Sequence, residues 1–130
     1  MADKLNKTIL IADDEPDVRT YLQTLLEDNG FDVILAENGK EAVEKAASDK
    51  PDLVTLDITM PEESGSKALK ELQVNEATKN IPIIIVTGVD SRYKNFIHTR
   101  KSVDPPQGYF EKPIDREEFL GKIKELLNIN

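Results

Sequence analysis

Apolar residues fall along this chain in two kinds of run, and the two kinds alternate. Thr8 to Ala12 (Thr-Ile-Leu-Ile-Ala), Leu53 to Leu56 and Ile81 to Thr87 are short, nearly continuous apolar blocks rich in β-branched residues. Such blocks predict strands buried on both faces. Asp32 to Glu37, centred on Val33-Ile34-Leu35, and Gly108 to Glu111 are weaker blocks of the same kind. Between them the apolar positions recur at helical spacing: Val18, Tyr21, Leu22, Leu25 and Leu26, then Ala42, Val43, Ala46 and Ala47, then Ala68, Leu69 and Leu72. A last stripe of Phe119, Leu120, Ile123, Leu126 and Leu127 is the broadest.

Local punctuation agrees with these elements. Pro16 suits the first turn of a helix, the acids before it suit the positive end of that helix's dipole, and Asn29-Gly30 is a stop. Asn38 to Glu41 and Asp115 to Glu118 have capping spacing. Met60-Pro61 delays the third helix, which opens at Ser64-Gly65, and Pro82 is expected at the very start of the fourth strand. Residues 88–107 are the least legible stretch: Tyr93, Phe96 and Ile97 predict a short fourth helix before the stiff Asp104-Pro105-Pro106-Gln107 break. Five strands alternating with five helical segments predict an α/β fold, a doubly wound parallel sheet with helices on both faces. Which doubly wound strand order applies is left open by the pattern.

Composition narrows the class without naming a chemistry. A chain of 130 residues is expected to be one domain, with a core over about residues 8–127. There is no cysteine, hence no disulfide framework or thiolate metal site, and a cytoplasmic location is expected. No apolar run approaches the ~18 residues of a membrane span. A net charge of −8 argues against direct nucleic-acid binding, which wants a basic surface. The last helical pattern ends near Asn130, so no output domain is expected to follow.

The polar residues that close the strands carry the chemistry. In a doubly wound sheet, ligands bind beyond the carboxyl ends of the strands. Asp13 and Asp14 follow the first strand, Asp57 the third, Thr87 ends the fourth, and Lys112 follows the fifth. Taken singly, the Asp13-Asp14 pair reads as a helix cap, Thr87 as a strand end and Lys112 as a solvated charge. Together on one rim, three carboxylates repel one another, and Lys112 offsets only one of them. A hard divalent cation fits the remaining excess. Oxygen ligands without nearby Cys or His favour Mg²⁺, with Mn²⁺ as a substitute. A carboxylate beside Mg²⁺, an ammonium and a hydroxyl is a set of parts for phosphoryl transfer, with Asp57 as nucleophile.

Four stretches, Ile-Leu-Ile-Ala-Asp13-Asp14-Glu-Pro, Leu-Asp57-Ile-Thr-Met-Pro-Glu-Glu-Ser-Gly65, Ile-Ile-Val-Thr87-Gly and Phe-Glu-Lys112-Pro113, together make the whole chain resemble a stand-alone response regulator receiver domain of two-component signalling. The resemblance implies a flavodoxin-like five-stranded sheet of order 2-1-3-4-5. It implies transfer of a phosphoryl group to Asp57 from a phosphohistidine of a sensor histidine kinase or histidine phosphotransfer protein. It further implies that Asp14 and the Thr59 carbonyl bind Mg²⁺ directly, Asp13 acts through water, and Thr87 and Lys112 meet the phosphoryl group. Tyr109 would turn inward on activation. An unknown downstream protein would then bind the face formed by the fourth helical segment, the fifth strand and the last helix. The domain is expected to be a monomer or weak dimer, and a switch more than a turnover enzyme.

Departures from the family pattern are local. Twenty-five positions separate Thr87 from Lys112, a few more than usual, and Pro105-Pro106 replaces a small-residue approach to the fifth strand. Thr59 and Val89 stand at two positions that influence the water attacking the acyl phosphate, and neither orients water strongly, so slow self-dephosphorylation is expected. His98 reads as an exposed helix residue, and Arg92, Lys94, Arg100 and Lys101 as a solvated face. The competing readings are an aspartyl-phosphate hydrolase of the haloacid-dehalogenase kind and an interaction module that is never phosphorylated. The hydrolase wants an acid two residues after its nucleophile, where this chain has Thr59.

Overall fold

The computed structural model describes residues 4–60, 64–88 and 106–129. Strands β1 (Thr8–Ala12), β2 (Asp32–Ala36), β3 (Leu53–Leu56), β4 (Ile83–Thr87) and β5 (Gly108–Glu111) form one parallel sheet in the order β2-β1-β3-β4-β5. This is the flavodoxin-like doubly wound order. Helices α1 (Pro16–Asp28), α2 (Gly39–Asp49), α3 (Ser64–Val74) and α4 (Arg116–Leu126) cover it. The predicted fourth helical segment, with Val89, Tyr93, Phe96, Ile97, His98 and the basic cluster, lies outside the described residues.

Alternation along each strand divides the core in two. Leu10, Ala12, Val54, Leu56, Ile83 and Ile85 pack with Ala42 and Ala46 of α2 and Ala68, Leu69 and Leu72 of α3. Ile9, Ile11, Leu53, Ile84 and Val86 pack on the other side with Leu22 and Leu26 of α1 and Phe119 and Ile123 of α4. Each layer removes large aliphatic side chains from water, at roughly 1.5–3 kcal/mol per residue fully buried. Phe110 adds an edge-to-face contact with Phe119, ring centres 5.5 Å apart, which ties β5 to α4.

Element ends differ from expectation where a backbone donor is missing or diverted. The fourth strand begins at Ile83, not Ile81, because Pro82 has no N–H for the ladder and the Ile81 N–H donates to the Thr78 carbonyl. The second ends at Ala36, because the Glu37 N–H turns to the Glu41 carboxylate at 2.9 Å. Asn38 caps α2 as expected, accepting from Glu41 N–H at 2.9 Å, and Asp115 caps α4 through Glu118 N–H at 3.1 Å. Tyr21 belongs to the apolar stripe of α1 by spacing, yet it is 46% exposed. It sits at the edge of the stripe, where a ring can rest its body on the protein and leave its hydroxyl in water.

Candidate functional site

Three residues of the site occupy equivalent places, one position beyond a strand. Asp13 follows β1, Asp57 follows β3 and Lys112 follows β5. Each is still tethered by a sheet-like bond: Asp13 N–H to Ala36 carbonyl at 3.1 Å, Asp57 N–H to Ala12 carbonyl at 3.0 Å, and Lys112 N–H to Thr87 carbonyl at 2.7 Å. The rigid sheet therefore aims all three side chains at one spot. The Lys112 ammonium lies 2.9 Å from Asp13 Oδ2, 3.2 Å from Asp57 Oδ2 and 3.3 Å from Glu15 Oε1. Asp13 and Asp57 are buried, whereas Asp14 and Glu15 are exposed.

Each remaining oxygen of the buried acids has a local partner. Asp13 Oδ1 accepts from Glu15 N–H at 2.9 Å. Asp57 Oδ1 accepts from Thr59 N–H at 2.8 Å and also from the Thr59 hydroxyl. The β3–α3 connection can lie this close only because residue 65 is glycine. A Cβ there would lie 2.5 Å from Ile58 Cα and collide with the Asp57 carbonyl oxygen. Arg19 of α1 reaches back under the site, donating to the Asp13 main-chain carbonyl at 2.7 Å and pairing with Glu37 at 3.6 Å.

Charge is unevenly compensated here. Burial pushes the Asp13 carboxyl above the ordinary carboxylate range and the Asp57 charge adds to this, while the bonds from Glu15 N–H and Lys112 oppose it. For Lys112 burial acts downward, but the bond to Asp13 and the charges of Asp57 and Asp13 outweigh it, and the ammonium is held more firmly than a free lysine's. Carboxylate oxygens of Asp13, Asp14, Glu15 and Asp57 all lie within 4.8 Å of one another. Among the described residues, the Lys112 ammonium meets three of these four acids, Asp13, Glu15 and Asp57. An all-oxygen cluster with this excess suits a hard divalent cation.

The structure brings Asp13, Asp14, Asp57, Thr59 and Lys112 together. Thr87 is buried at the end of β4 and meets the site through its carbonyl, which holds the Lys112 main chain. Tyr109, half-buried in β5, packs against the apolar layer under α2 and α3. Two contributors were missed in the sequence. Glu15 was read only as an acid near a helix start, and Arg19 acts on a main-chain carbonyl, which leaves no signature in residue types.

A sequence model of the response regulator receiver domain matches residues 9–124. The chain belongs to that family. Among curated relatives of this receiver domain, the chemotaxis protein CheY of Bacillus subtilis (strain 168) is 38% identical over 121 residues, covering 92% of this chain and 97% of that protein. The alkaline phosphatase synthesis transcriptional regulatory protein PhoP of the same organism is 35% identical over 123 residues, covering 95% of this chain. The chain spans about half the length of PhoP, 49%. Among solved structures, a CheY-like response regulator receiver domain protein from Methanospirillum hungatei JF-1 superposes with a TM-score of 0.81 at 28% identity, covering 94% of each chain. The receiver domain is thus one of two-component signalling.

Proposed function

We propose that Asp57 accepts a phosphoryl group from a phosphohistidine of a sensor histidine kinase or histidine phosphotransfer protein, and that the acyl phosphate switches a partner-binding face. The observation that carries this reading is the Lys112 ammonium shared between Asp13 and Asp57 at 2.9 and 3.2 Å. It leaves a rigid nucleophile beside a cation that can follow the incoming oxygens. Asp13, Asp14 and Asp57, with the main-chain carbonyl of Thr59, would hold Mg²⁺, or Mn²⁺ in its place. Such an ion would supply positive charge for the oxygens of the transferring group.

The Asp57 carboxylate attacks phosphorus in line, a P–O bond forms, and the P–N bond to the donor histidine breaks with the electron pair leaving on nitrogen. Lys112 meets the charge that arrives, and the Thr87 hydroxyl closes on the phosphoryl oxygens. Tyr109 then changes its packing, and the face expected from β5, α4 and the helical segment predicted before β5 presents a new surface to a downstream protein. With Thr59 and Val89 unable to orient water strongly, the acyl phosphate decays slowly. Asn at 59 and Glu at 89 together are expected to speed that decay.

Incubation with acetyl phosphate and Mg²⁺, followed by mass spectrometry, is expected to place one phosphoryl group on Asp57 and none on Asp57→Asn. Sustained turnover of a phosphate ester would instead mark a haloacid-dehalogenase-like hydrolase, a reading weakened by Thr59, whose hydroxyl is engaged with Asp57. Absence of labelling by any donor would mark an interaction module.

A further inference from the structure

We propose that Arg19 is a positioning residue for Asp14: by holding the main-chain carbonyl of Asp13, it sets the direction in which Asp14 presents its carboxylate. The inference rests on the metal reading above. Asp13 is fixed at every polar atom, by Ala36 carbonyl at its N–H, Glu15 N–H and Lys112 at its carboxylate, and Arg19 at its carbonyl. The first three hold Asp13 itself. The fourth acts on the next residue, because the carbonyl of Asp13 shares a rigid plane with the N–H and Cα of Asp14. Anchoring that oxygen stops the plane from turning, and so sets where the Asp14 side chain departs. Asp14 is exposed and depends on the main chain for its aim.

The residue type fits the task. A guanidinium presents a planar fork, and here its two ends reach different elements, the β1–α1 connection at 2.7 Å and Glu37 beyond β2 at 3.6 Å. The Arg19 side chain is only 13% exposed, so its bond to the carbonyl is shielded from water, whereas Glu37 is 67% exposed and its pairing is weak. The strong end of the fork is therefore the one on Asp13.

The test is Mg²⁺ affinity, measured by calorimetry on the unmodified protein and on Arg19→Met, Arg19→Lys and Glu37→Gln. Arg19→Met is expected to weaken binding roughly 10–100-fold, in the range seen when groups that orient metal ligands are removed. Arg19→Lys is expected to recover part of the loss, and Glu37→Gln to change affinity less than about twofold. In an Asp14→Asn background, Arg19→Met should have no further effect, because the interaction it supports is already gone. Wild-type affinity in folded Arg19→Met, or an equal loss with Asp14→Asn present, overturns the assignment. Should Arg19→Met not fold, Arg19→Lys decides: weakened affinity supports the role and unchanged affinity overturns it. No Mg²⁺ binding by the unmodified protein would overturn the metal reading itself, and this inference with it.

Discussion

Asp13 is an ionisable group that the fold has almost wholly removed from water, at 1% exposure. Its pKa is raised, first by that burial, so the folded chain holds the Asp13 proton more tightly than the unfolded chain does. Between the ordinary carboxylate value of about 3.9 and the raised value, folding takes up a proton, and stability falls as pH rises through that window. The Asp13 charge therefore weakens the fold as the pH rises through that window. Asp13→Asn is expected to raise the thermal midpoint at neutral pH, by roughly 2–8 °C for each ~1 kcal/mol gained. The advantage should shrink as the pH falls through the raised value. A midpoint that drops at pH 7, or a gain independent of pH, would contradict this account. The same residue shows how far the sequence could be read. An acid just past an apolar block was legible as one of the residues gathered at the carboxyl edge of the sheet, and so were Asp57 and Lys112. Glu15 was not, since an acid ahead of Pro16 serves a helix dipole equally well.

At the scale of elements, the connection from β3 to α3 is the tightest-built part of the site. Gly65 lies against the backbone of Asp57 and Ile58, and backbone atoms cannot yield as the end of a flexible side chain can. Gly65→Ala is expected to cost about 1–3 kcal/mol by overpacking, and to slow labelling of Asp57 because the loop carrying Thr59 must shift. Chemical denaturation and the acetyl phosphate reaction check the two effects separately. Strands β1, β3 and β4 were legible as apolar runs because both faces of each are covered. Their boundaries were less so. The sequence marks Pro82 as awkward, but only the register Val54–Ile83, with the Val54 N–H donating to the Pro82 carbonyl, shows where the ladder starts. Tyr21 was misread because helical spacing identifies a face and does not locate its edge.

For the whole molecule, the net charge of −8 and a cluster of four acids, three of them on the Lys112 ammonium, leave the native state under electrostatic load. A cation bound only by the folded chain relieves it. Mg²⁺ at a hundred times its dissociation constant is expected to add about 2.7 kcal/mol to the unfolding free energy, and a chelator should remove that increment. Thermal scans at graded Mg²⁺ check this; an increment that survives in Asp14→Asn would mean the ion acts elsewhere on the acidic surface.

Lys112 and Asp13 touch across 99 positions of chain. A polypeptide emerging from the ribosome holds its acids long before it holds the ammonium that completes their surroundings. Until β5 has docked beside β4, the half-made sheet lacks the ammonium that lies 3.2 Å from Asp57, so the buried acids gain their counter-charge only when the last strand joins.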